Sequence, residues 1–249
     1  MKTLRDALYS TLRLIARHVE GYYAALAAFL TVGLLVAAIA VAVFAAVAGA
    51  VNAGLTQDMD EAALRWFAAH RSAILDQVAI EVTTLGTTIV LIMLVLVASV
   101  FLWQTQHKWS VYVLLMGTLG GALLNNILKG FFHRPRPTIV AWAETVHSAS
   151  FPSGHAMSSL IAYGSIAYLV GRLNPSPVLQ RTIWLIAALL ILAIGTSRMY
   201  LGVHYPSDVI AGFLAGLAWL TFVAATLKAI QFFADRRPET HQEEHDLRR

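Results

Sequence analysis

Three short clusters hold most of the side chains in this sequence that could do chemistry. Lys129 is followed, after six residues, by Arg136-Pro137. Pro152-Ser153-Gly154-His155 comes next, and Ser197-Arg198, five residues, His204, three residues and Asp208 complete the set. The combination suits an anion with several equivalent oxygens. A phosphoryl group in transfer spreads its charge over three equatorial oxygens, so its catalysis is mainly positioning and electrostatic stabilisation. Lys129, Arg136 and Arg198 offer one point charge and two planar forks that grip oxygens in pairs. Ser153 and Gly154 stand just before an apolar run, where their backbone N–H groups would open a helix N-terminus. Such an end binds anions through free donors and the helix dipole. Gly154 also lets backbone come close to a ligand.

Two histidines then divide the acid–base work. Asp208 lies four residues after His204, within reach if the chain turns helically after Pro206. A carboxylate held against one ring nitrogen fixes the tautomer and leaves the other nitrogen to attack phosphorus. It also stabilises the cation that forms when the ring is phosphorylated. His155 is left to protonate the departing oxygen and then to activate water for a second half-reaction.

The segments that must position these residues are long and apolar. Hydrophobic residues make up 58% of the chain and charged ones 13%, with a mean hydropathy of +0.65; soluble domains sit near about 45–50% and about 25%. Residues 21–57 carry no charge and 24–47 are almost wholly apolar. A helix over 24–47 would be about 36 Å long, enough to cross a hydrocarbon core of about 30 Å. Ala46-Val47-Ala48-Gly49-Ala50 looks like a signal-peptidase site, but the apolar run exceeds the roughly 7–15 residues of a signal-peptide core. The segment is therefore read as a retained first span. Further spans are predicted at 82–103, 111–128, 156–170, 182–196 and 209–232, with Tyr22, Tyr23, Trp103, Trp109, Tyr168 and Trp184 near their ends as interfacial aromatics. Between the first two spans, Leu64, Phe67, Ile74 and Val78 recur at about helical spacing, which predicts one or two short interfacial helices on the outer membrane surface.

The expected fold class is thus all-α: a polytopic membrane bundle of six transmembrane helices forming one domain over residues 1–233, with its motif core at 129–208. Residues 234–249 mix arginines with acids and have little to bury, so they are expected to be a frayed tail. Counting charges sets a topology. With both termini cytoplasmic, the inner segments hold twelve Lys and Arg, from Lys2, Arg5, Arg13 and Arg17 to Arg248 and Arg249, against six outside (Arg65, Arg71, Lys129, Arg134, Arg136, Arg198). That asymmetry follows the positive-inside rule and puts all three clusters on the outer, periplasmic face. Cations at span ends usually anchor topology or snorkel; three together on the disfavoured side argue for a site.

Composition also excludes. There is no cysteine, so thiolate metal sites, disulfides and cysteine-nucleophile phosphatase chemistry are ruled out. The net charge of +4 lies beside apolar spans, which argues against a nucleic-acid partner. Glu144 and Asp208 are the only acids between the second span and the tail, too few for a carboxylate metal site, and no cofactor is called for. Asp58-Met59-Asp60 has the outline of a paired-aspartate phosphatase motif but is followed by Glu61-Ala62 and lacks the surrounding α/β domain. Arg134, His133 and His147 lie close enough in sequence to touch a substrate. Gly117/Gly121 and Gly212/Gly216 are small-xxx-small pairs suited to close helix packing.

The three clusters resemble the signature motifs of the type 2 phosphatidic acid phosphatase superfamily, which also contains vanadium haloperoxidases and glucose-6-phosphatase. Eleven residues match in order and spacing over 129–208, about a third of the chain. The six-span layout is similar to that of bacterial membrane members. The resemblance implies His204 as nucleophile, Asp208 as its partner, His155 as acid, and Lys129, Arg136, Ser153, Gly154 and Arg198 as the phosphate cradle, with no metal. Ser197 and the prolines would be structural. It further implies an inner-membrane enzyme whose partner is a membrane lipid phosphate, with undecaprenyl pyrophosphate the first-choice substrate, then phosphatidylglycerophosphate, phosphatidic acid or the lipid A phosphate. A lipid phosphotransferase using the same phosphohistidine, and a non-enzymatic anion or lipid carrier, are the competing readings. No protein partner can be inferred.

Overall fold

The computed structural model describes the backbone of residues 2–142 and 148–234, and the side chains of 26–142 and 148–232. Eight α-helices account for the regular structure among them: α1 Lys2–Asn52, α2 Gln57–Ala69, α3 Ala73–Thr84, α4 Thr88–Gln104, α5 Lys108–Phe132, α6 Gly154–Leu173, α7 Pro177–Tyr200 and α8 Pro206–Ala234. Five of them contain stretches long and apolar enough to span a membrane, and α3 with α4, bent by 45° at residues 85–87, makes a sixth if taken as one. The protein is an all-helical, multi-span membrane protein. Tyr22, Tyr23, His147, Glu144, the N-terminal basic residues and the 235–249 tail lie outside the described side chains.

The least apolar span sits at the centre. The α6 window has a mean hydropathy of only 1.2 yet is 56% buried, whereas the α1 window, at 2.8, is 17% buried. In lipid there is little hydrophobic drive between helices, so small and hydroxylated side chains that permit close approach decide which helix goes inside. Helix α6 supplies Gly154, Ser159, Gly164 and Ser165. It packs against α5, α7 and α8, while α1 lies along the outer side of α8. Both glycine pairs work as expected: Gly117 and Gly121 face Ile161 of α6, and Gly212 and Gly216 face the α6 backbone at Ser153 and Met157.

Helix ends are set by local chemistry. Ser72 and Ser176 cap α3 and α7, accepting from the N–H groups of Leu75 and Leu179, and Pro177 opens α7. Helix α5 ends at His133, whose left-handed φ of 48° closes the last turn on Lys129 O. Pro135 and Pro137 keep the following stretch out of a helix.

Two expectations change. The second span does not begin at 82, because the chain breaks at Leu85-Gly86-Thr87 and α4 starts at Thr88. The apolar stripe over 64–78 is real, but its residues do not share one environment. Leu64 is buried under α2, whereas Ile74 and Val78 on α3 are exposed. Hydropathy marks both as apolar and cannot tell burial in protein from exposure to lipid.

Candidate active site

All three sequence clusters converge at one end of the bundle. Cluster one leaves the C-terminus of α5, cluster two enters α6, and cluster three joins the end of α7 to the start of α8. Lys129, Arg136, His155, Arg198 and His204 lie close enough for each to act electrostatically on others of the group. Arg136, Ser153, Arg198, His204 and Asp208 are buried.

His204 is fixed from both sides. Its Nε2 lies 3.2 Å from Arg136 Nη1, and its Nδ1 lies 3.4 Å from Asp208 Oδ2 and 3.4 Å from Ser150 Oγ. A guanidinium can only donate, so Nε2 is the bare, accepting nitrogen and Nδ1 carries the proton towards Asp208. The turn after Pro206 is helical, and Asp208 Oδ2 also accepts from Tyr205 N at 2.9 Å and from Ser150 Oγ at 2.5 Å. Burial pushes the His204 imidazole down to about 4, against the raising effect of Asp208, and the Arg136 and Arg198 charges push the same way as burial. The ring is therefore neutral at ordinary pH, as an attacking lone pair requires.

The residues expected to form a phosphate cradle stand at or beside three helix ends. Arg136 donates from Nε to Ser148 O at 2.7 Å and from Nη1 to Val203 O at 2.7 Å, which pins the fork beside His204. Arg198 reaches across to Thr83 Oγ1 at 2.7 Å. Lys129 Nζ donates to Ala149 O. Gly154 packs so tightly on α5 that a Cβ there would sit 3.1 Å from Asn125 Oδ1 and 3.9 Å from Lys129 Cε. Ser153 occupies the N-cap of α6, and its own N–H is spent on Asp208 O at 2.9 Å. That corrects one expectation: the free donors at this helix end begin at Gly154. Ser153 Oγ and His155 Nε2 are buried with no hydrogen-bond partner among the described residues.

Sequence reasoning missed Ser150 and Thr83. Ser150 stands two residues before a motif and carried only that proximity as a signal; Thr83 lies 115 residues from Arg198 and carried none. Arg134, thought able to touch substrate, instead turns both terminal nitrogens to carboxylates of Asp60 and Asp208. His133 is an exposed helix terminus. No cluster of three His, Asp or Glu side chains able to hold a metal ion occurs among the described residues.

A family model described as the PAP2 superfamily matches residues 109–231. Phosphatidylglycerophosphatase B of Bacillus subtilis is 32% identical over 196 residues, covering 78% of this chain and 95% of that one. The chain belongs to the PAP2 superfamily. The crystal structure of a transmembrane PAP2-type phosphatidylglycerolphosphate phosphatase from Bacillus subtilis matches with a TM-score of 0.72 and 28% identity, over 82% of this chain and 98% of that one. Undecaprenyl-diphosphatase BcrC of Bacillus subtilis is 28% identical over 59% of this chain and 72% of its own length. The PAP2 protein described here is a membrane lipid phosphatase, and the non-enzymatic carrier reading is set aside.

Proposed function

We propose that the protein hydrolyses a lipid phosphate through a phosphohistidine on His204, without a metal ion. The observation that carries this reading is the bare Nε2 of His204, turned to Arg136 with Asp208 behind Nδ1. In the first half-reaction the Nε2 lone pair attacks phosphorus and the P–O bond to the lipid breaks, the leaving oxygen taking a proton from His155. In the second, His155 removes a proton from water as its oxygen attacks phosphorus, the P–N bond breaks with its electron pair returning to Nε2, and phosphate leaves. Lys129, Arg136, Arg198 and the N–H groups from Gly154 onward hold the equatorial oxygens, supplying the positive charge that a metal supplies elsewhere.

Phosphatidylglycerophosphate now stands ahead of undecaprenyl pyrophosphate as the proposed substrate. A relative and a solved structure that match over almost their whole lengths bear that name, while the undecaprenyl-diphosphatase matches over a shorter part of the chain. The enzyme is placed in a bacterial inner membrane with both termini inside and the site outside, following the charge asymmetry. Residues 1–233 form its one domain.

Phosphate release from a panel of lipid phosphates in detergent tests the substrate order. His204→Ala should lose several orders of magnitude in rate, ³²P should be trapped as an acid-labile label on His204, and a chelator should leave the rate unchanged. Label on a serine or aspartate, or a strict Mg²⁺ requirement, would contradict the scheme. Label passing to a second lipid instead of water would make the enzyme a phosphotransferase.

A further inference from the structure

We infer that Arg134 and Asp60, which belong to none of the three clusters, form a positioning pair that holds Asp208 in the orientation its histidine needs; the inference rests on the reading of His204 and Asp208 above. The geometry is a carboxylate–guanidinium–carboxylate sandwich. Arg134 Nη1 donates to Asp208 Oδ1 at 2.6 Å and to Ser207 Oγ at 2.8 Å, and Nη2 donates to Asp60 Oδ2 at 2.9 Å. Asp60 in turn accepts from Ser207 N at 3.0 Å and Ser207 Oγ at 2.5 Å. The Arg134 guanidinium stacks over the ring of Tyr205, 4.2 Å from its centroid, and Tyr205 is the neighbour of His204. Asp60 and Asp208 are 2% and 0% exposed, so neither carboxylate can fall back on water.

The two oxygens of Asp208 have separate partners. Oδ2 faces His204 Nδ1 and accepts from Ser150 and Tyr205 N, while Oδ1 is taken by Arg134. Fixing Oδ1 fixes the carboxylate plane, and with it the direction in which Oδ2 meets the imidazole. A buried carboxylate that lost this donor would have to rotate or take up a proton, because an unpaired buried charge is costly. Both terminal nitrogens of Arg134 face carboxylates, which balance its charge within the protein and make it a positioning group.

Asp60 sets the charge balance. Two carboxylates around one guanidinium leave one net negative charge, which matches the positive charge that develops on His204 as the P–N bond forms. Without Asp60, Arg134 would neutralise Asp208 and weaken that match. Asp60 also belongs to α2, so the first outer loop is tied to the reaction centre through one buried carboxylate. A lysine at 134 keeps the charge but lacks the planar fork that bridges two acids.

The test uses the full-length enzyme in detergent with a short-chain lipid phosphate, comparing Arg134→Lys, Arg134→Gln and Asp60→Asn with His204→Ala. Vanadate binding reports the cradle and thermal unfolding reports the fold. The expected result is a kcat lowered about 10–100-fold, the usual cost of removing a group that orients a reacting one, with KM and vanadate affinity close to wild type. Asp60→Asn, nearly isosteric, carries the decision if the Arg134 variants do not stay folded. Wild-type kcat in Asp60→Asn and Arg134→Lys, while His204→Ala is inactive, would overturn the positioning role. So would equal losses of kcat and vanadate binding, which mark a structural role only. If His204→Ala itself stays active, it is the nucleophile assignment that fails.

Discussion

Helices α6 and α8 approach closely at Gly212, and filling that space gives a sharp test. A Cβ on Gly212 of α8 would lie 2.6 Å from Ser153 O, 3.0 Å from Ala156 Cβ and 3.3 Å from Met157 N, all on the first turn of α6. Two of these are backbone atoms, which cannot swing aside as a flexible side chain can. To restore ordinary contact near 3.4 Å the α6 turn must withdraw from α8 by about 0.8 Å. That turn carries Gly154 and His155, whereas α8 and the loop before it carry Asp208 and His204. The Ser153 N–H to Asp208 O bond of 2.9 Å spans the same seam and would stretch with it. Overpacking of this kind costs about 1–3 kcal/mol of stability, and a misplacement of about 1 Å between reacting groups costs about 10²-fold in rate. Gly212→Ala should therefore lower kcat by about two orders of magnitude while leaving enough folded enzyme to assay. Gly33→Ala, on α1 against the same α8, is the control, because its Cβ would meet Ala225 Cβ at 3.6 Å and Thr221 O at 4.0 Å. Phosphate release and thermal unfolding should be measured on both. Wild-type kcat in Gly212→Ala, or an equal loss in Gly33→Ala, would refute the claim that the α6–α8 spacing sets the reaction geometry.

Other expectations follow from single contacts. His204 is held near 4 in the fold, against about 6.5 for a free imidazole. The unfolded chain therefore binds the proton first, and the stability tied to neutral His204 is complete above about 6.5 and drains away as pH falls towards 4. Unfolding temperature measured across that window should fall less in His204→Gln than in wild type. Thr83→Val removes the hydroxyl that Arg198 Nη1 donates to and should weaken vanadate inhibition about tenfold, about 1.4 kcal/mol; Thr83→Ser should restore it. Ser150→Ala deletes one donor to Asp208 Oδ2 while Tyr205 N and Arg134 remain. It should cost about tenfold in kcat, in line with a charge-assisted hydrogen bond of about 1.5–3 kcal/mol partly made good by its neighbours.

Residue type and spacing alone determined the membrane character, the helical class and the three polar clusters. Long uncharged runs have one stable solution in lipid, a helix that satisfies its own backbone, and a carboxylate four residues after a histidine meets it whenever the segment turns helically. Those are local consequences, so His204 with Asp208 and a helix opening beside Gly154 were readable from a linear pattern. What the tertiary structure decided is which distant groups complete them. Thr83 on Arg198, Asp60 on Arg134 and Ser207, and Gly212 against Ser153 bring together residues 59 to 147 positions apart. No periodicity records such meetings, because they depend on how helices cross. The break at residues 85–87 was hidden for a related reason. Hydropathy averaged over a whole span does not register the short Thr84-Leu85-Gly86-Thr87 interruption, whose Gly86 lies against Ile194 and His155.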